Sequence, residues 1–575
     1  MLNRVNGSTE ARPGYFALSL INGVRAEMTA TARTSLFRFS IPSLDKIVYL
    51  ENDTVVPNSP VLLVDVQDIA HSRSDGAVSV SPSGRITGHG RFRPSFGTGS
   101  FRAFFCADVR GGPIRDMGIF NDNKPLEDGS VRSVDKISGR SGGAWIRFKR
   151  GTEPLYVRVG MSFISEDQAC ANAEAEIPDF TSGPDAFDRV IARAEDVWVE
   201  KLGQVQVNTN GISHELQLVF WSGLYRTMLS PQNYTGENPL WESTEPYFDS
   251  FYCIWDSFRA QHPLLTILDP VAQTEMVRTL LDIYRHEGKL PDCRMSFSKG
   301  FTQGGSNADV VLADAHVKQI TDGVDWNVAY EAVVSDAEES PPSFDVGGRG
   351  NIEAWQELGY VPVDDVDKKS RGRNTRSVSR TVEYAYDDFA IATLARGLGR
   401  GTEEYEKYRN RSGNWRNAWN TDQVDFLNDD DEKPHGYKQR SRFVGFPQPR
   451  LRNGSFNYQS TRRCSPAGDM HRCYLDTTES TYEGSPWLYS FYVPQDMAGL
   501  ADVMGGRAEL VARLQYFHET GIAYMGNEQS FLTVFQFHYG GRPGLSSRWA
   551  RNYISSQFTA SPEGLPGNGT CSGYE

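Results

Sequence analysis

The stretch Phe187-Asp188-Arg189-Val190-Ile191-Ala192-Arg193-Ala194-Glu195-Asp196-Val197-Trp198 decides how this chain is read. Its apolar residues fall at 187, 190, 191, 194, 197 and 198, the spacing of one helix face. Everything before it has a different period. Thr34-Ser35-Leu36-Phe37-Arg38-Phe39-Ser40-Ile41 alternates, as do Gly76–Val80, Phe101–Phe105 and Ala144–Phe148, with Gly, Ser and Pro clusters between them. Short alternating runs of this kind predict an antiparallel β-sandwich. After Gly183-Pro184 helical spacing recurs at 213–229, 271–286, 309–320, 383–398, 488–503, 507–518 and 544–557, joined by long polar, Gly-rich loops without strands. The expected organisation is a sandwich over 1–180, a linker helix over 181–210, and a helical toroid of paired helices over 211–575.

Composition narrows the function classes. The 575 residues are 39% hydrophobic and 23% charged, which is globular rather than disordered or fibrous. A formal charge of −14 has the sign of a nucleic-acid backbone, so nucleic acid is excluded as an expected partner. No stretch approaches the ~18 uninterrupted apolar residues of a membrane span, so no membrane is expected either. The opening Met-Leu-Asn-Arg-Val-Asn-Gly-Ser lacks the apolar run of a signal peptide. Six N-x-S/T sequons, at Asn6, Asn52, Asn233, Asn410, Asn453 and Asn568, point instead toward secretion. Seven cysteines form no metal-type spacing, and their odd number leaves at least one without a partner inside the chain.

Five clusters place ionisable and aromatic residues in apolar company, where charge is costly without a partner or a task. Trp255-Asp256-Ser257-Phe258-Arg259 is the first; its Asp and Arg could pair at i and i+3 on a helix. Glu287-Gly288-Lys289-Leu290-Pro291-Asp292 reads as a helix stop with solvated charges. Glu383-Tyr384-Ala385-Tyr386-Asp387-Asp388 carries three carboxylates within six residues, more than a plain core helix accommodates. Tyr482-Glu483-Gly484-Ser485-Pro486-Trp487 offers a Glu suited to a raised pKa and a general-acid role, or to the dipole of a following helix. Gly526-Asn527-Glu528-Gln529 offers oxygen donors for a hard cation, or a helix cap. There is no GxSxG elbow, no HExxH, no P-loop and no GxGxxG entering a helix. Carboxylates, aromatics and oxygen donors are what remain, and they are the inventory of glycoside hydrolysis.

These segments, in this order, resemble glycoside hydrolase family 92. The likeness rests on Trp255–Arg259 with His262-Pro263-Leu264-Leu265, the Glu287-Gly288-x-Leu290-Pro291 turn, Ser377–Asp388, Tyr482-Glu483-Gly484-Ser485-x-Trp487, Pro494-Gln495-Asp496 and Gly526-Asn527-Glu528. It begins at Pro13-Gly14-Tyr15-Phe16 and ends at Gly564-Leu565-Pro566-Gly567-Asn568. The resemblance implies an N-terminal β-sandwich joined to an (α/α)6 barrel. It also implies a secreted, calcium-dependent, inverting exo-α-mannosidase, a monomer or small homo-oligomer, that acts on terminal mannose of N-glycans or mannans, with α-1,2 linkages foremost. By that resemblance Glu483 is the general acid, Asn527 and Glu528 lie at the metal, and Trp255, Asp256, Arg259, Glu383, Asp387, Asp388 and Trp487 bind substrate. Family members follow the Gly-Leu-Pro-Gly-Asn segment with aspartates that supply the general base. Here Asn568 is followed by Gly569-Thr570-Cys571, so the base is expected to be missing, the chain truncated at both ends and turnover impaired. A mannose-binding pseudoenzyme and a glycan-releasing protein deglycosylase are the two other readings.

Overall fold

In a computed structural model of the chain, residues 3–42, 48, 49, 55, 56, 59–126, 130–149, 154–180, 185–374, 376–427, 439–468, 470, 479–561, 564 and 566 are described. Gly183-Pro184 and the segment from 567 onward, Asn568 included, lie outside them. Two compact units result, and each is taken by itself. One comprises 1–207 with 236–242 and 296–298; the other comprises 208–235, 243–295 and 299–575.

The first unit is β-rich, as the alternation predicts. Its nine-stranded antiparallel sheet contains Tyr15–Ser19, Arg25–Ala30, Thr34–Ser40, Leu155–Ser162, Phe101–Arg110, Arg85–Phe92 and Asp75–Val80 in that spatial order, with two short edge strands. A four-stranded sheet built on Ile114–Asn121, Gly142–Phe148 and Val61–Asp65 supplies the other layer. Val78, Val80, Ile86 and Val109 from the first sheet meet Met117, Ile119, Ala144 and Ile146 from the second in one core. The opposite face of the large sheet is covered by helices. Glu166–Glu176 lies so close that a Cβ on Gly160 would stand 2.1 Å from the Ala169 carbonyl oxygen, so only glycine fits that strand position. Cys106–Cys170 bonds strand to helix at the same place. The helix that opened the sequence reading spans Asp185–Leu202 and is no linker: Phe187, Val190 and Ile191 pack on Tyr15, Ala17 and Leu36. Its amphipathic face has a sheet to bury against, which is why it belongs to this unit.

The second unit is helical, with helices His214–Arg226, Pro270–Glu287, Ala308–Val317, Trp326–Glu338, Ser377–Gly397, Thr402–Arg411, Arg507–Glu519 and Pro543–Gln557 among others. Pro270–Glu287 shows why the boundaries were readable. Asp269 caps it, Pro270 takes the first turn, and Gly288 at φ 77° ends it in the left-handed region. Ser377–Gly397 packs against Ala308–Val317, Trp326–Glu338 and Thr402–Arg411 and is mostly buried, with one half-buried face along Tyr386, Phe389 and Thr393.

Three sequence expectations are corrected here. The helix expected over 488–503 is broken into Pro486–Tyr489, a 3-10 turn at Pro494–Asp496 and Met497–Met504, because Pro494 cannot donate within a helix. The loops are not free of strands, since Trp419–Phe426 and Arg440–Pro447 pair as an antiparallel ladder. The charges of the Glu287–Asp292 turn are not solvated. Lys289 Nζ donates to Ser335 O (2.5 Å) and Glu339 O (2.9 Å), and Glu287 pairs with Arg294 at 2.8 Å.

Candidate active site

The first candidate segment is fixed by a covalent clip and a buried carboxylate. Strand Tyr252–Cys253 pairs with Cys293–Met295, and Cys253 and Cys293, directly opposite, are disulfide-bonded. Helix Ile254–Ser257 follows at once. Asp292, one residue before the clip, accepts the Trp255 N–H at 3.3 Å and the Gln303 N–H at 2.6 Å. Burial pushes its carboxyl up to about 7 against those two donors. Trp255 is fully buried, with the Arg259 guanidinium 4.4 Å over its ring and Tyr482 edge-on at 5.8 Å. A Cβ on Gly304 would come within 2.5 Å of that ring, so the backbone passes where no side chain fits.

Arg259 joins this segment to the carboxylate-rich helix. It stacks on Phe258 (4.6 Å) and Tyr492 (5.0 Å) and lies 3.6 Å from Glu383. Glu383 accepts from Asn307 Nδ2 at 3.1 Å through one oxygen, while its other oxygen is buried without a hydrogen-bond partner. Burial raises its pKa, with Arg259 opposing. Arg259 and Glu528, with Tyr386, Tyr492 and Phe531, line a cavity of about 370 Å³.

Asp387 and Asp388, one turn beyond Glu383, serve a different partner. Arg349 NH1 donates to Asp388 at 2.6 Å, and Trp355 Nε1 donates to its second oxygen at 3.1 Å. Arg349 NH2 donates to Asp309 at 2.8 Å, and its Nε stands 3.9 Å from Asp387. Arg349, Asp309, Asp387 and Asp388 are all fully buried. Asp388 is thus consumed by the fold, which corrects its assignment as a substrate contact. Arg349 and Asp309 were missed in the sequence; they sit 39 and 79 positions from Asp388, and no local pattern joins them.

Glu483 sits at φ 50°, in the left-handed region that a non-glycine residue adopts at a cost. Asn527 Nδ2 donates to its carbonyl oxygen at 2.8 Å and holds that turn. The Glu483 carboxyl is pushed up to about 8, first by burial and then by the charge of Glu528, so at neutral pH it carries its proton. Burial raises the Tyr482 pKa, with Glu483 and Asp256 adding to it, and the Tyr482 hydroxyl donates to Gln303 Oε1. Trp255, Asp256, Arg259, Glu383, Glu483, Asn527 and Glu528 are therefore one linked constellation, drawn from four separated segments. Trp487 is not part of it. Its ring is fully buried against Phe443, Phe446, Tyr516 and Phe517, with Nε1 donating to Asp425 at 2.9 Å. No face remains for a sugar, which corrects its expected role to packing.

The metal expectation finds one fitting residue. Asn527 Oδ1 accepts the Glu528 N–H at 3.0 Å and its Nδ2 is committed to Glu483, so Asn527 caps the turn Glu528–Ser530. Glu528 Oε1, Gln529 Oε1 and Ser530 Oγ are buried without hydrogen-bond partners, the donor chemistry a hard cation takes. Among the described residues no group of three or more His, Cys, Asp or Glu is placed to hold a metal by itself.

Comparison with known proteins identifies the family and the fold. Residues 2–162 match the glycosyl hydrolase family 92 N-terminal domain and residues 168–573 its catalytic domain. A protein of Arthroderma benhamiae described as an uncharacterized secreted glycosidase is 45% identical over 569 residues, spanning 98% of this chain and 67% of that relative. The solved family 92 inverting mannosidase of Bacteroides thetaiotaomicron shares the fold with a TM-score of 0.78 at 22% identity, over 98% of this chain and 72% of that one. An α-mannosidase of the same organism, solved with mannoimidazole, follows at 0.77 and 22%, over 100% and 70%. With both of its units matched, the chain belongs to glycosyl hydrolase family 92 and is a glycoside hydrolase by that membership.

Proposed function

We propose that the chain is an inverting hydrolase of terminal α-mannosides of N-glycans or mannans with Glu483 as the general acid, its turnover impaired because Gly569-Thr570 stands where the family pattern carries the aspartates of the general base. What carries the reading is the place of Glu483, on a turn at φ 50° held by Asn527, where burial and the neighbouring Glu528 raise its pKa. A general acid holds a proton and gives it to the glycosidic oxygen as the bond breaks. Arg259, stacked on Trp255 and facing Glu383, and the cavity it shares with Glu528 supply the aromatic and charged walls for the sugar.

Release of free mannose from an α-mannoside, followed across pH, tests the proposal. Activity falls as pH rises through about 8, because the acid then loses its proton. Stability shifts in the same sense. A carboxyl whose folded pKa is raised from 4.5 to about 8 contributes fully below 4.5 and loses that contribution between 4.5 and 8. A rate that climbs through pH 8 sinks the assignment, and release of intact oligosaccharide points to the deglycosylase reading.

Calcium, held by Glu528 with neighbouring oxygens of Gln529 and Ser530, would supply charge for binding sugar hydroxyls. Titration of the protein with calcium by calorimetry gives a saturable heat that Glu528→Gln abolishes. An unchanged heat in the variant removes Glu528 from the site. A secreted location is supported by the disulfides Cys106–Cys170 and Cys253–Cys293, which persist in oxidising compartments, and by the secreted relative. Among the described residues no helix is long and apolar enough to cross a membrane.

The mannose-binding pseudoenzyme is favoured by one observation, Gly569-Thr570 standing where the family pattern carries aspartates. Mannose binding without any release is its signature.

A further inference from the structure

Of the N-x-S/T sequons in the sequence, those at Asn6, Asn233, Asn410 and Asn453 lie among the described residues. A sequon is defined by the hydroxyl two residues after the asparagine, so the state of that hydroxyl separates them. Ser8 Oγ donates to Val5 O at 2.7 Å, and Thr235 Oγ1 accepts the Tyr247 N–H at 3.0 Å. Ser412 is buried, its Oγ donating to Arg409 O at 2.7 Å, and Asn410 belongs to helix Thr402–Arg411. Among the described residues, only in Asn453-Gly454-Ser455 does the hydroxyl meet its own asparagine. Asn453 Oδ1 accepts the Ser455 N–H at 2.9 Å and the Ser455 hydroxyl at 2.7 Å. Both residues are exposed, and Asn453 Nδ2 has no hydrogen-bond partner among the described residues.

The turn that carries this pair is held from behind. Leu451 N–H donates to Ser455 O at 2.8 Å and Gly454 N–H to Leu451 O at 2.9 Å, with Gly454 at φ 90°, which glycine adopts without strain. Arg450 Nε donates to Gly454 O at 2.8 Å, and the Tyr360 hydroxyl to Leu451 O at 2.9 Å. The Arg452 guanidinium pairs with Asp365 at 2.9 Å and Glu357 at 2.5 Å. None of these anchors uses the side chain of Asn453 or Ser455, so a bulky hydrophilic group on Asn453 displaces no packing.

We propose that Asn453 is an acceptor of an N-linked glycan. The co-reactant is an oligosaccharide carried on a lipid pyrophosphate in the secretory pathway. The Asn453 amide nitrogen bonds to the anomeric carbon of that oligosaccharide. The bond from the same carbon to the pyrophosphate oxygen breaks, the lipid pyrophosphate leaves with the electron pair, and the nitrogen gives up one of its two protons. Transfer precedes folding, and the fold keeps the modified side chain at the surface. The inference rests on the secreted location, and its test separates the two.

The full chain is expressed behind a cleavable secretory leader in a yeast, which brings it to the oligosaccharide donor whatever its native compartment. Peptide N-glycosidase in heavy-oxygen water converts each glycosylated asparagine to a labelled aspartate, read by peptide mass spectrometry. A digest without the glycosidase corrects for spontaneous deamidation of the Asn-Gly pair. The expected result is glycosidase-dependent label at Asn453 in most of the secreted chain. Asn453→Gln and Ser455→Ala each lose one glycan step on a denaturing gel. An unlabelled Asn453 in secreted chain overturns the proposal, as does a Ser455→Ala variant that keeps every step. Chain purified from its own source is mapped in the same way. Label in the leader-directed chain but none in the native one supports the acceptor and counts against the secreted location.

Discussion

Glu483→Gln lowers α-mannoside hydrolysis by about 10²–10⁴-fold, the contribution of a positioned general acid, while binding of mannose persists. The glutamine keeps the size and the hydrogen-bonding reach of the side chain and removes the proton that can be transferred. Its amide is neutral, as the parent carboxyl is at neutral pH, so the neighbourhood of Glu528 gains no charge from the exchange. The pH profile of the variant also loses its fall near 8, since the group that titrated there is gone. The measurement is steady-state release of mannose beside calorimetric binding of mannose. Loss of binding together with turnover would mean that the residue at φ 50° holds the loop rather than the reaction. A substrate whose leaving group needs no protonation, such as an activated aryl mannoside, recovers part of the rate in the variant. That recovery separates an acid from a residue that merely shapes the pocket.

Arg349→Met unfolds the helical unit, or leaves it destabilised by about 3–5 kcal/mol, the cost of removing one member of a buried ion-pair network. Arg349 is the cation standing against Asp309, Asp387 and Asp388 at once, and none of the four is exposed. The methionine fills a similar volume, so packing is not what changes. Three carboxylates are left facing each other in an apolar interior, where Lys289, which lies 3.8 Å from Asp336, serves a neighbouring group. Asp309 and Asp387 already titrate well above the ordinary range because burial disfavours their charge. Their folded pKa values exceed their unfolded ones, so lowering pH restores protons to them and narrows the gap between variant and parent. Denaturant unfolding at two pH values reads this directly. A variant as stable as the parent at both would show that the network does not hold the helices together.

What the sequence showed and what it hid follow from range. The strands at 34–41, 76–80, 101–105 and 144–148 were legible because side-chain alternation is a local signal. Pro270–Glu287 was legible because Asp269, Pro270 and Gly288 mark its ends within the chain itself. The Trp419–Phe426 strand was not, because Trp-Asn-Thr-Asp-Gln-Val-Asp-Phe places polar residues on both faces and its partner begins only at Arg440. The pairing of Arg259 with Glu383 was equally hidden, since the expected partner one helical turn away, Asp256, was the only local choice. Glu483 was readable through the family segment that surrounds it. Its pKa was not, for it depends on Glu528, which the fold brings near from another loop. Trp487 misled because a tryptophan beside an acid suggests a sugar platform, and burial is invisible in a motif.

Two disulfides among the described residues bear on how the protein is made. Cys106–Cys170 and Cys253–Cys293 close stretches of 64 and 40 residues, and each such closure removes about 4 kcal/mol of unfolded-chain freedom. A bacterial cytosol keeps thiols reduced, so chain recovered from it lacks these cross-links, one on the strand bearing the Trp255 helix and one between sheet and helix. Export into an oxidising compartment, and buffers without thiol reductant, are then part of the definition of the active preparation.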